Sequence, residues 1–351
     1  MLRSGARVLR VARIWGYPMR FLIPLEMLGA AVAIAFLAGC SGGSAIAPKP
    51  VLPQGGDSFF STRIGQHYVS HYSCPATGPI KYVSENANNV VDVFVGKFAG
   101  QAPCGQITSG LLSPWGLYVK ANTHDLYVAN EGGSDILVFH RGQMAPYNTY
   151  TDPTLQYPTD VTVAKDGTVI ASNIMGYPES SGSLSTWIGG PNGGKFVGNF
   201  PMTNSFRGGY VTVQKNGTVF FDDIDLSTND VALWSVSCPS GACGAQTKVA
   251  ALSHDTPGGL GSDATDDLIV IESSLKNHGI ADTFELPNPK PKTFPLQGTT
   301  WGMAINDLDN HLFVTDVKDD GAAEYLYPSG TFVGFVQTGQ HGYPFGIAVD
   351  P

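Results

Sequence analysis

Six residues that carry side-chain oxygen recur along the chain at the ends of short apolar runs: Glu85, Asn130, Asn173, Asp223, Glu272 and Asp316. Four carboxylates and two amides are the donor set of a hard cation such as calcium, provided the fold brings them to one place. Short acidic and amide side chains at such positions also satisfy the backbone amides of a following turn, which is the structural alternative for all six. Glu85 and Glu272 resist that alternative best, because Glu is a poor turn residue.

The runs that carry them are Ile80 to Glu85, Leu126 to Asn130, Val169 to Asn173, Val219 to Asp223, Leu268 to Glu272 and Leu312 to Asp316. Near-continuous apolar runs of this length mark strands covered on both faces. Ahead of each of the last five, and once more near the C-terminus, comes a small-residue turn leading into another apolar strand. The turns are Ser113-Pro114-Trp115-Gly116, Tyr157-Pro158-Thr159-Asp160, Arg207-Gly208-Gly209-Tyr210, Thr256-Pro257-Gly258-Gly259, Thr299-Thr300-Trp301-Gly302 and Tyr343-Pro344-Phe345-Gly346. Their spacing, about 43 to 50 residues, is the length of one propeller blade. Weaker alternating runs such as Asp135 to His140 and Asp230 to Trp234 read as outer strands.

The first run has no partner strand before it, and the stretch from Gly346 to Pro351 is a first strand without a blade. Each completes the other. The expected fold is all-β: a six-bladed β-propeller over residues 80–351, its C-terminal strand closing the first blade and removing an open sheet edge.

In an up-and-down blade the start of the first strand and the end of the second lie on one face, near the axis. The six oxygen-bearing residues are therefore expected around one channel mouth, with Trp115, Trp301 and Phe345 beside them to stack on a sugar ring or a cation, or else to wedge between blades. Tyr157 and Phe206 stand close by. Asp160 and Tyr210 replace the turn Gly in two neighbouring blades and mark where the mouth is asymmetric.

The phrases Asp125-Leu126-Tyr127-Val128-Ala129-Asn130, Asn310-His311-Leu312-Phe313-Val314-Thr315-Asp316 and Pro344-Phe345-Gly346-Ile347-Ala348-Val349-Asp350 resemble those of NHL-repeat and related six-bladed propellers, which include the gluconolactonase/senescence-marker group. The resemblance covers about Ile80 to Pro351, although the Asn-Arg pair usual after the second strand of NHL repeats is absent. For fold it is specific; for function it admits hydrolases, lyases and pure binding modules. What the gluconolactonase-like group implies is a divalent metal near this mouth, polarising a substrate carbonyl, with Glu85, Asn173, Asp223 and Glu272 as its ligands here.

Residues 1–39 read as an export signal: Arg3, Arg7, Arg10, Arg13 and Arg20 precede an apolar stretch from Leu28 to Ala38, too short to span a bilayer comfortably. Leu37-Ala38-Gly39-Cys40 matches a bacterial lipobox, so Cys40 is the expected lipidation site and the membrane the first expected partner. Residues 40–57, rich in Gly, Ser, Ala and Pro, read as a flexible tether, and residues 58–79 as an irregular lead-in. This places the protein in the bacterial cell envelope, facing periplasm or exterior.

The chain holds 20 basic and 29 acidic residues; without the five Arg and one Glu of residues 1–39 these become 15 and 28, a net charge of −13. That excludes nucleic acid as a natural partner and opposes adhesion to anionic lipid. Four Cys remain beyond Cys40, and export favours disulfides Cys238–Cys243 and Cys74–Cys104 over the rival reading of a four-thiolate zinc site. No nucleophile elbow, phosphate loop, dinucleotide fingerprint or His-Glu-x-x-His occurs. His67 and His71 read as surface residues, and Ser253, His254 and Asp255, adjacent in one loop, do not make a triad. The expected function is a monomeric, lipid-anchored binding or scaffold module for an envelope protein, peptide or glycan, requiring no cofactor. The alternative is a metal-dependent, lactonase-like hydrolase or lyase.

Overall fold

The computed structural model describes residues 73–351 except 76, 97, 99–100, 155, 175–180, 191, 204, 206–207, 254–255, 274–278, 287, 289, 307, 309 and 339–341. The signal, Cys40, the tether, His67, His71, Phe206, His254 and Asp255 lie outside the described residues.

Six four-stranded antiparallel sheets form a ring. Blade 1 is built on the outgoing strands β1 (Ile80–Glu85), β2 (Val90–Val95) and β3 (Gly105–Ile107). The other blades start from inner strands β4 (Pro114–Lys120), β8 (Pro158–Val163), β12 (Val211–Val213), β16 (Leu260–Ser262) and β20 (Thr300–Ile305), in blades 2 to 6 respectively. Their second strands are β5 (Asp125–Asn130), β9 (Thr168–Asn173), β13 (Thr218–Ile224), β17 (Leu268–Glu272) and β21 (His311–Asp316). Apart from Thr218 and His311, every residue of these five strands is buried, as strands covered on both faces require.

The inner strand of blade 1 is β24 (Pro344–Asp350), which pairs antiparallel with β1 from Ile80 opposite Asp350 to Glu85 opposite Pro344. Neighbouring inner strands then touch all the way round, β24 to β4, β8, β12, β16, β20 and back to β24. Packing between blades supplies the core: one cluster joins Ile80, Tyr82 and Val91 of blade 1 to Leu126, Val128 and Phe139 of blade 2, another joins Phe94 of blade 1 to Phe313 of blade 6.

A charged knot fastens the seam between blades 1 and 6. Lys81 is buried with its ammonium 5.2 and 5.3 Å from the rings of Phe98 and Phe313, and it bonds the Gly96 carbonyl. Burial lowers its pKa, and the nearby carboxylate of Glu324 opposes that effect. Glu324 in turn accepts the Phe98 N–H at 3.1 Å and contacts His311 at 2.8 Å.

Both expected disulfides are present. Cys74–Cys104 ties the lead-in to blade 1, where the Ser73 N–H also bonds the Cys104 carbonyl at 2.9 Å. Cys238–Cys243 closes a short loop beside blade 4.

Candidate functional site

The register fixes which ends of the strands share a face: Pro114 stands opposite Asn130, Pro158 opposite Asn173 and Thr300 opposite Asp316. The six oxygen-bearing residues thus stand at, or in Asp223 one residue before, the ends of the second strands. All six are buried, however, and their side chains are engaged within their own blades or with the segment leading into them.

Asn130 accepts the Leu112 N–H at 2.6 Å and donates to the Gly110 carbonyl and to Asp135. Asp316 accepts the N–H groups of Thr299, Lys318 and Asp319. Asp223 accepts the Ser205 hydroxyl and the Ile224 N–H. These are the turn bonds that compete with ligand binding. The other three point to their own third strands, β2 in blade 1, β10 (Ser183–Ile188) in blade 3 and β18 (Ile280–Phe284) in blade 5. Asn173 donates to Ser183 and Ser185. Glu85 accepts from Asn88 at 2.7 Å and lies against Asp92; Glu272 accepts the Ser253 N–H and hydroxyl and lies against Asp282.

Each of these Glu-Asp contacts sets two buried carboxyl groups side by side. Burial, then the charge of Glu85, pushes Asp92 well above the ordinary carboxylate range. Burial and the bond to Glu272 push Asp282 up to about 7. Glu85, Asn173, Asp223 and Glu272 come from four blades and are turned to four separate sets of partners. Among the described residues, no group of three or more His, Cys, Asp or Glu side chains is placed to hold a metal ion. The residues do not fit the metal site that the resemblance implies.

The aromatic residues meet one another. Trp115 stacks on Phe345 with ring centroids 4.4 Å apart, and Trp301 lies 5.1 Å from Phe345 and 6.4 Å from Trp115. They come from blades 2, 1 and 6. From blade 4 Tyr210 crosses the ring: its hydroxyl accepts the Trp115 indole N–H at 3.3 Å and donates to the Phe345 carbonyl at 2.8 Å. The cluster closes this end of the channel. Close approach of backbones behind it requires glycine, since a Cβ on Gly346 would collide with the Trp115 carbonyl and one on Gly302 with the Phe345 carbonyl.

A cavity of about 520 Å3 occupies the rest of the axis and opens at the opposite face. Its floor is set by Gly116, Asp160, Tyr210, Gly302 and Gly346; its walls carry Thr162, Thr212 and Ser262 as well as Leu117, Val161, Leu260 and Met303; its rim lies at the hairpins of Ala121, Lys215, Asp266 and Asn306. The open mouth is therefore on the face away from the six-residue ring. Of the residues singled out in the sequence, Asp160 and Tyr210 line the cavity, Trp115, Trp301 and Phe345 stand beyond its floor, and Glu85, Asn130, Asn173, Asp223, Glu272 and Asp316 do not line it.

Asp160 is 6% exposed, and its Oδ2 accepts the Val211 N–H of the next blade at 2.9 Å. Burial pushes its carboxyl up to about 8, against the lowering effect of the Val211 and Val161 N–H groups. Asp222 accepts the Tyr210 N–H at 2.7 Å and the Gly258 N–H at 2.8 Å, and burial raises it well above the ordinary range.

Asp222 belongs to a set the sequence reading missed. One residue before the ring position, Ser84 donates to the Trp115 carbonyl, Ser172 to the Gly209 carbonyl, and Asp222 bonds Gly258, each from one blade to the next; Thr315 accepts the Gly302 N–H within its own blade. A polar residue repeated in four otherwise apolar strands is the signal that would have found them.

The fold is one shared widely. A chain in a nidogen/laminin complex matches with TM-score 0.60 at 12% identity, covering 78% of this chain and 99% of that one. A functionally unknown protein from Desulfotomaculum acetoxidans matches with TM-score 0.54 at 13% identity, over 78% and 99%. Hydrazine synthase from Kuenenia stuttgartiensis matches with TM-score 0.54 at 12% identity, over 73% and 83%. No protein-family profile and no curated sequence matches the chain. At these identities the likeness is one of fold, and the fold is that of a six-bladed β-propeller.

Proposed function

We propose that the protein is a binding module of the bacterial envelope, held to the membrane through Cys40, whose blind axial channel receives a projecting group of an envelope protein, peptide or glycan. The observation that carries this reading is the channel itself: a cavity of about 520 Å3 lined by polar and apolar groups in similar measure, open at one face and closed at the other by Tyr210 and the Trp115, Trp301 and Phe345 cluster. Such a concave, preformed site with polar groups at its floor, walls and rim suits recognition. The carboxylates that metal-assisted hydrolysis would need, Glu85, Asp223 and Glu272, each accept bonds within the protein. Two disulfides agree with a location outside the cytoplasm.

A photo-crosslinking residue placed at Ser262, on the channel wall, and separately at the outer-surface position Tyr147, tests this in cells. The expected result is a discrete adduct from position 262 alone, abolished by Val213→Trp, which fills the channel. Identical adducts from both positions, or an adduct indifferent to Val213→Trp, would count against it. Lactone hydrolysis by the full chain that needs added calcium and is lost in Glu272→Gln would favour the metal-enzyme alternative.

A further inference from the structure

The floor of the channel carries an acid with no base beside it. Five of the six blades can be compared directly with blade 3 at the last turn position: Gly116, Gly259, Gly302 and Gly346 in four of them, Tyr210 in blade 4, and Asp160 in blade 3. The backbone there does not need an acid. What acts on Asp160 is burial and two backbone N–H groups. The packed residue from blade 2 is Gly116, whose missing Cβ leaves room for the Asp160 carboxyl, and the titratable neighbours from blade 4 are Tyr210 and Asp222. Both oxygens of Asp222 are taken by backbone N–H groups of blades 4 and 5.

Along the way out the walls are uncharged, the neutral polar Thr162, Thr212 and Ser262 standing among apolar residues. Among the described residues lining the cavity, Lys215 is the single base; it stands at the far rim with its ammonium on the Ala264 carbonyl and its backbone N–H bonded to Asp266. Asp263 and Asp266 stand on the same rim. An approaching cation meets Asp263 and Asp266 beside Lys215 at the entrance, uncharged walls beyond them, and acid at the end.

Resting on the channel as the binding site, we propose that the group it receives is a positively charged ammonium, drawn to Asp160 at the floor. A buried carboxylate gains more from a charged donor than from a neutral one, and an ammonium supplies both charge and N–H donors. Two sources share this chemistry: a small organic amine and a lysine side chain of a partner.

Binding then carries a proton signature. In the empty channel the Asp160 carboxyl is raised to about 8, so at neutral pH it is mostly protonated and must release that proton to bind a cation. Affinity for an ammonium rises with pH until about pH 8, whereas affinity for an uncharged analogue of the same shape does not change.

Calorimetric titration of the full chain tests this with two matched pairs: 2-phenylethylamine against 2-phenylethanol, and a lysine-centred pentapeptide against its norleucine counterpart. The charged member of one pair is expected to bind roughly tenfold tighter or more, with the pair that discriminates naming the source. The preference is expected to vanish in Asp160→Asn. If that variant does not fold, the wild-type chain still decides: between about pH 6 and about pH 8, where amines keep their charge, ammonium binding strengthens and proton release shows as a buffer-dependent enthalpy. Equal binding of charged and neutral members would overturn the cation while leaving the channel as a site. A charge preference that survives in folded Asp160→Asn, or that is flat with pH, would overturn the role of Asp160. Binding of none of the four probes overturns the inference altogether.

Discussion

The hydroxyl of Tyr210 in blade 4 donates to the carbonyl oxygen of Phe345 in blade 1, 2.8 Å away, and so spans the propeller between opposite blades. The bond ties the aromatic end of the channel to the far wall and leaves the cavity open on the other side only. In a ring whose blades contact mainly their neighbours, one bond across the diameter resists ovalisation.

Tyr210→Phe removes that bond and the acceptor of the Trp115 indole N–H while keeping the ring in place. The expected cost is about 1 to 3 kcal/mol, read from the urea midpoint, because a buried donor and a buried carbonyl lose their partner. A variant as stable as the parent would show that water replaces the hydroxyl without loss.

Stability is expected to fall as pH rises from about 5 to about 8. Asp282 is raised to about 7 and Asp160 to about 8, with Asp92 and Asp222 also raised, burial being the first cause in each. A raised acid is more protonated in the native state than in the unfolded chain, so the folded form holds extra protons between the two pKa values and loses the associated stability as they leave. Asp225 works in the opposite sense: although burial would raise it, bonds from Lys248 and Ser227 hold it at about 2, and its contribution is lost only on strong acidification. Urea midpoints across the range check the sign, and Asp282→Asn is expected to flatten the slope near pH 7.

Asn130→Ala is expected to cost roughly 2 kcal/mol, since it strips the Leu112 N–H and the Gly110 carbonyl of their partner at the entry to blade 2. Calcium, manganese and zinc are expected to leave the melting temperature of the parent chain unchanged. A calcium-dependent rise that disappears in Glu85→Gln and Glu272→Gln would instead show that the ring rearranges to take a metal.

The two disulfides are expected to differ in worth. Replacing Cys74 and Cys104 together by Ser opens a loop of sequence separation 30 and is expected to cost about 3 kcal/mol, whereas the Cys238 and Cys243 pair, separated by 5, is expected to cost less. Equal losses from the two double variants would point to strain or packing rather than chain entropy.

Cys40→Ser is expected to move the protein from the membrane fraction to the soluble fraction of the envelope without changing its melting temperature. Fractionation followed by extraction with detergent checks this, and retention of the variant in the membrane would assign anchoring to another segment.

The strand ends were legible because apolar runs, turn residues and blade length are local properties: the second strands in the structure lie within a residue of those read from Ile80, Leu126, Val169, Val219, Leu268 and Leu312. Pairing of the C-terminal strand with β1 was legible because each lacked a partner. The side of the channel that is open was not. It depends on Tyr210 reaching Phe345 across 135 residues and on three rings from different blades meeting, which no local pattern encodes. The fate of the six oxygen-bearing residues was equally non-local, since Glu85 and Glu272 find Asp92 and Asp282 two positions along a neighbouring strand. Of the polar residues placed by sequence at the mouth, Asp160 and Tyr210 keep a place on the cavity because they break the repeat, and a broken repeat is where a symmetric scaffold acquires a direction.

The strand that completes blade 1 follows every other strand in the chain, and its Asp350 is gripped by Arg141 of blade 2 at 2.9 Å. During synthesis the first blade therefore waits with an exposed edge until all the others have emerged. The ring behaves as a clasp that shuts only when β24 pairs with β1, so fragments cut short before β24 are left with an open edge that marks them for aggregation or proteolysis.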